Sequence, residues 1–184
     1  MELLKSRYPI ISTALFGALI VVAHLFSSDN YDWTKNTISE LGAQGYDRKR
    51  IMQIGFLAFG LMLAWGIMLN GLAWRRLPIL IYGLSVALTG VFCTKPFFDV
   101  ETYSTLQSTV HSILAQIAGV AFSVGILAQF FFAANKHLKY MHLLFFVLVI
   151  GFSATFGLLN DYQGLAQRLL YLVSFIWLIS YYKP

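Results

Sequence analysis

The chain divides into six apolar runs, at 9–26, 51–74, 77–98, 108–134, 141–160 and 164–182, each of a length that crosses a bilayer as a helix. No other feature limits the fold so severely. In lipid every backbone amide and carbonyl must be bonded within the protein, and a helix satisfies its own. The runs therefore predict an all-α fold, a polytopic six-transmembrane-helix bundle, with 1–184 as a single integral membrane domain. Composition agrees. Hydrophobic residues make up 58% and charged residues 11%, against about a quarter charged in soluble domains, and mean hydropathy is +0.69. Six spans of about 20 residues leave little chain for a soluble domain.

The net charge of +5 does not indicate nucleic acid. The basic residues stand in short groups beside apolar runs, the arrangement of anchors facing anionic lipid. Cys93 is the sole cysteine, which excludes an intrachain disulfide and a thiolate metal cluster. Lys5 and Arg7 before the first run imitate a signal peptide, but the apolar core is long. The exit His24-Leu25-Phe26-Ser27-Ser28 also lacks a small-x-small cleavage pattern, so a retained helix is expected.

Six spans put both termini on one side. Lys5, Arg7, Arg75, Arg76, Lys136, Lys139 and Lys183 fall on that side; Lys35, Arg48, Lys49, Arg50, Lys95 and Arg168 fall opposite. Of the acids only Glu2 is on the terminal side, while Asp29, Asp32, Glu40, Asp47, Asp99, Glu101 and Asp161 are opposite. The basic loops at 75–76 and 135–140 are short and nearly acid-free, as cytoplasmic turns are. Both termini are expected in the cytoplasm of a cell with this protein in its cell membrane.

Small residues recur at helical spacing, Gly55, Gly60 and Ala64 in the second run and Ala115, Gly119 and Ser123 in the fourth. They predict close helix packing. Trp33, Tyr46, Trp74, Tyr103, Tyr140, Tyr162, Tyr181 and Tyr182 sit near span ends and read as interfacial anchors. The long connection 27–50 is expected to be functional or to carry a short helix, with Asn36 to Gly42 as a turn or short helix closed by Gly42.

Polar groups gather at the ends opposite the termini: His24, Asp32, Asn36, Ser39, Glu40, Asp99, His111, Asn160, Asp161, Gln167 and Arg168. Ionisable side chains at that depth pair with each other or line a wet cavity. His111 reads either as an interhelical hydrogen-bonding residue, turned inward by the face through Ala115, or as a ligand. Arg168 reads as an interfacial cation, a partner locking its helix to Asp161, or an anion site. Ser39 and Glu40 read as capping oxygens or as site residues. His24, Glu40, Asp99 and His111 are ligand types for zinc or a harder ion, yet no two have a diagnostic spacing, and metal and cofactor stay undetermined. His137 and His142 are expected to face headgroups. No nucleophile elbow or phosphate-binding glycine loop is present.

Ile38-Ser39-Glu40-Leu41-Gly42, Gly90-Val91-Phe92 leading through Lys95-Pro96 to Asp99, His111 with Ala115 and Phe122, and Gly164-Leu165-Ala166-Gln167-Arg168 with Trp177 together resemble an uncharacterised prokaryotic membrane family, domain of unknown function 998. The resemblance implies a multi-pass protein of a prokaryotic cytoplasmic membrane and no known reaction. Against that family's pattern, Cys93-Thr94 replaces a Phe-Pro pair and Gln167 an acidic residue. Ser39 to Gly42, and His111 with its small-residue face, are more distantly similar to the six-helix Frag1/DRAM/Sfk1 proteins, which implies a link to lipid handling and membrane organisation.

The expected function is a pocket away from the terminal side, binding a small molecule or lipid headgroup through Ser39, Glu40, Asp99, His111 and Arg168. The alternative is a lipid-modifying intramembrane enzyme in which His111 with Glu40 or Asp99 holds a metal or shares acid/base work. Transport is a third reading, without an inverted repeat to support it. Membrane lipids are the expected partners, homo-oligomerisation is open, and nucleic acid is set aside.

Overall fold

The computed structural model describes residues 2–183 and is all-α among them. Six helices follow in order, α1 (Glu2–Leu25), α2 (Lys49–Leu69), α3 (Leu77–Thr89), α4 (Thr105–Phe132), α5 (Lys136–Leu158) and α6 (Gln163–Ser180), with 3-10 turns at Ile38–Gly42 and Asn160–Tyr162. Four of them, α1 from Ser6, α2, α4 and α5, are long and apolar enough to cross a membrane; α3 is apolar but shorter. Each helix packs on the next and α6 returns to α1. The Tyr8 hydroxyl donates to that of Tyr182 at 3.3 Å, so the first and last helices meet at one end, the terminal end. The connections 26–48 and 90–104 build the opposite, lid end.

Aromatic rings fill the interior. Phe16 stacks on Phe59 at 4.8 Å, Phe59 meets Tyr82 at 5.9 Å, Tyr82 meets Phe122 at 4.8 Å, and Phe122 meets Trp177 at 5.2 Å. One ring system thus links α1, α2, α3, α4 and α6. Lipid offers little drive for helices to associate, so contact area of this kind and close backbone approach hold such a bundle together. Gly60 provides the approach: a Cβ there would meet Gly83 O and would lie 2.5 Å from Ala87 N. The small-residue face expected on α2 is thus real, and Gly55, Phe59, Gly60, Leu63 and Ala64 are all buried.

On α4 the expected face is the wrong one. Ala115 is exposed, a Cβ on Gly119 would touch nothing within 4 Å, and the buried stripe is His111, Ala118, Phe122, Gly125 and Gln129. Size alone suggested Ala115, whereas the large ring of Phe122 faces inward because Tyr82 and Trp177 complete its surroundings.

The third apolar run also ends early. The sequence predicts a helix to 98, but α3 stops at Thr89. A Cβ at Gly90 would sit 2.7 Å from Gln53 O, so the chain passes close to α2 and turns away, and 91–104 is irregular. Side chains and loop amides from elsewhere bond its freed carbonyls. Gln44 N donates to Thr94 O at 3.1 Å, and Gln44 Nε2 donates to Cys93 O at 3.2 Å and to Ser104 O at 2.9 Å. Irregular backbone that is withdrawn from water needs such partners.

The aromatic anchors divide. Trp33, Trp74, Tyr103, Tyr140 and Tyr162 are exposed as expected, but Tyr46 and Tyr182 are buried and Tyr181 half-buried. His142, expected among headgroups, is 3% exposed. Its Nδ1 accepts from the Trp177 indole at 3.0 Å, which puts the imidazole hydrogen on Nε2.

Candidate functional site at the lid end

Residues 31–42 owe their shape to local hydrogen bonds. Asp32 Oδ1 accepts from Thr34 Oγ1 at 2.7 Å and from Thr34 N at 2.9 Å. These bonds hold the Asp32 carboxyl below the usual carboxylate range and form a turn. Thr37 caps the following 3-10 turn: its Oγ1 accepts from Glu40 N at 3.2 Å and Glu40 Oε2 accepts from Thr37 N at 2.6 Å. This is a capping box. Of the two capping oxygens the sequence suggested, Glu40 serves and Ser39 does not. Ser39 Oγ instead accepts from Gln167 Nε2 at 3.5 Å.

This segment seats on the start of α6. Gly164 N donates to Lys35 O and Leu165 N to Thr34 O, both at 3.0 Å, and Ile38 N donates to Gln167 Oε1 at 2.6 Å. The lid's carbonyls thereby satisfy the unbonded amides of a helix N-terminus. Arg168 completes the seat. Its Nη1 donates to Trp33 O at 2.7 Å, Asn36 O at 3.0 Å and Gly164 O at 2.8 Å, and its Nη2 to the Tyr31 hydroxyl at 2.6 Å. The guanidinium carbon lies 5.7 Å from the Tyr31 ring and 5.9 Å from the Trp33 ring, within cation–π range. Burial drives the Tyr31 phenol up to about 12, opposed by the Arg168 charge, so it stays a neutral donor to Thr37 O at 2.8 Å.

All four acceptors on Arg168 are neutral. The expected pairing with Asp161 does not form; Asp161 instead meets Lys35 at 3.7 Å on the surface, because the lid carbonyls already surround the guanidinium. A pair so exposed contributes little.

Ser39, Glu40 and Arg168 therefore converge, joined through Gln167 and Asn36, whose Nδ2 donates to Glu40 Oε2 at 3.4 Å. His111 and Asp99 are attached to the second connection. His111, 4% exposed, has its Nδ1 2.7 Å from Phe92 O. A carbonyl only accepts, so Nδ1 carries the hydrogen and supplies a partner that a continued helix could not, because residue 96 is proline and has no N–H. Asp99 is exposed, two residues past Phe97, whose ring meets Tyr31 edge-on at 5.4 Å. Tyr31, Trp33, Asn36 and Gln167 complete the cluster; Asn36 and Gln167 were among the polar groups expected at this end, Trp33 was expected only as an anchor, and Tyr31 carried no sequence signal. Among the described residues no three His, Cys, Asp or Glu side chains are grouped to hold a metal ion.

His111→Ala is expected to destabilise the protein by about 2 kcal/mol, because it strands a buried carbonyl. The apparent unfolding midpoint in detergent should fall by roughly 5 °C. An unchanged midpoint would show that water serves Phe92 O equally well.

The sequence matches the family described as Protein of unknown function (DUF998) over residues 10–182. The chain belongs to this family. No curated protein and no solved structure matches it. The DUF998 match includes the lid, the irregular 91–104 connection and α6, so every part of this cluster lies inside the family's extent. The apolar helices make this DUF998 member a membrane protein.

Proposed function

We propose that the protein crosses the cell membrane six times, α3 and α6 included, with both termini cytoplasmic, and that its lid end recognises an oxyanion, carried by a lipid headgroup or a small molecule. Arg168 carries this reading. Among the described residues its guanidinium makes no carboxylate pair, its four bonds leave Nε and one Nη2 hydrogen without an acceptor, and the rings of Tyr31 and Trp33 flank it. A planar cation with such an edge suits bidentate carboxylate or phosphate. In this proposal Arg168 touches the ligand, Ser39 and Glu40 fix the lid around it, Asp99 stands at the rim, and His111 is a positioning residue for the 91–104 connection. The terminal-side location of the basic, nearly acid-free turns supports the orientation.

Calorimetric titration of purified protein with inorganic phosphate, and separately with short-chain phosphatidic acid, tests the reading and separates the two sources. Binding should be at least about tenfold weaker in Arg168→Lys, which keeps the charge and loses the fork. Equal binding by both proteins, or by neither, would overturn it.

A further inference from the structure

One amide faces the bilayer from deep within α4. Gln116 is exposed and stands two positions before the buried Ala118, about 200° around the helix from it, so it points away from the core. Exposed Ile113 and Val120 flank it. α4 has 28 residues, about 42 Å at 1.5 Å per residue, against a hydrocarbon core about 30 Å thick. Gln116 lies about 16 Å from the Thr105 end and about 24 Å from the Phe132 end, whereas at most about 12 Å of helix overhangs the core on either side. Wherever along its length α4 meets the core, this amide is in hydrocarbon.

Neighbouring hydroxyls bond within their own helix. Ser112 Oγ donates to Ser108 O at 3.0 Å and Ser123 Oγ to Gly119 O at 2.9 Å. Gln116 has no hydrogen-bond partner among the described residues. Acyl chains offer neither donor nor acceptor, so an amide left to them is costly. The surface around it admits a second helix closely. Thr109, Ser112, Gly119 and Ser123 are small, and with Gln116 they recur at alternating spacings of three and four, the seam along which two helices wrap.

We propose that two copies of this protein pair along α4, each Gln116 amide donating to and accepting from the other. The membrane selects this partner. Copies that insert the same way round are related by a two-fold axis along the bilayer normal, which sets α4 beside α4 with Gln116 at one depth. An amide carries both donor and acceptor and is its own complement. Lipid covers the surface but leaves the amide unbonded, and an unrelated protein would need a polar group at the same depth. This inference depends neither on Arg168 nor on which end is cytoplasmic.

Energy transfer between donor-tagged and acceptor-tagged copies in phosphatidylcholine vesicles, followed as lipid is added to dilute the protein, gives the dissociation constant of the pair. Transfer in the wild type should exceed that of random proximity and rise linearly with acceptor fraction, as two copies require. Gln116→Leu should raise the constant at least about tenfold, and Gln116→Asn, which keeps the amide, should stay within about threefold of wild type. Gln116→Leu should also keep the unfolding midpoint of the detergent-solubilised protein, since Gln116 makes no bond in its own chain. Random-proximity transfer in the wild type, or one constant shared by wild type and Gln116→Leu, would overturn the proposal.

Discussion

Replacing Gly164 with valine is expected to unseat the lid. A side chain there would push into the carbonyl oxygens of Trp33, Thr34 and Asn36, at 2.5 Å from Trp33 O and 2.9 Å from Thr34 O. None of the three is the flexible end of a side chain. The lid would have to move away, and with it would go the bonds from Gly164 N and Leu165 N and those from Arg168 to Trp33 O and Asn36 O. Overpacking together with lost charge-assisted bonds amounts to more than about 3 kcal/mol. The apparent midpoint in detergent should drop by about 10 °C, and protease should cut within 27–48. Gly157→Ala is the control, since a Cβ there meets nothing within 4 Å. If Gly164→Val melts like the control and resists protease, the seat described for α6 is not the native one.

Gly60→Leu should do comparable damage in the middle of the bundle. Gly83 O and Ala87 N occupy the space a side chain needs, so α2 and α3 must separate. Separation uncouples Phe59 from Tyr82, the link between one half of the aromatic core and the other. A cost above about 3 kcal/mol is expected, read as loss of the monodisperse peak in size exclusion and of the cooperative thermal transition. Gly119→Ala, facing open space on α4, should leave both intact. Similar behaviour of the two variants would mean that α2 and α3 tolerate several ångströms of separation.

The fold was legible wherever the signal is a long apolar run. Ends for α1, α2, α4, α5 and α6 come within a few residues of those expected, except at 2–8, 70–74 and 136–140, because hydrocarbon tolerates no other backbone arrangement over such lengths. Residues 91–98 were misread for the same reason: their composition is apolar enough for helix, but Pro96 breaks it and the partners on Gln44 and His111 satisfy the carbonyls left over. At the lid, a turn or short helix over Asn36 to Gly42 could be placed, with Ser39 and Glu40 as capping oxygens; that Thr37 rather than Ser39 caps it could not. That Arg168 would bond backbone carbonyls rather than Asp161 could not, since a carbonyl has no residue type to recognise.

The order of residues by itself determined an all-helical chain suited to a bilayer, with its acids at one end, because hydropathy and charge act residue by residue. Which face of each helix turns inward, and which groups meet Arg168, His111 and His142, was decided only by the assembled bundle. Those choices depend on neighbours 19 to 137 positions away in the chain, as when Arg168 finds its acceptors at Trp33 and Asn36.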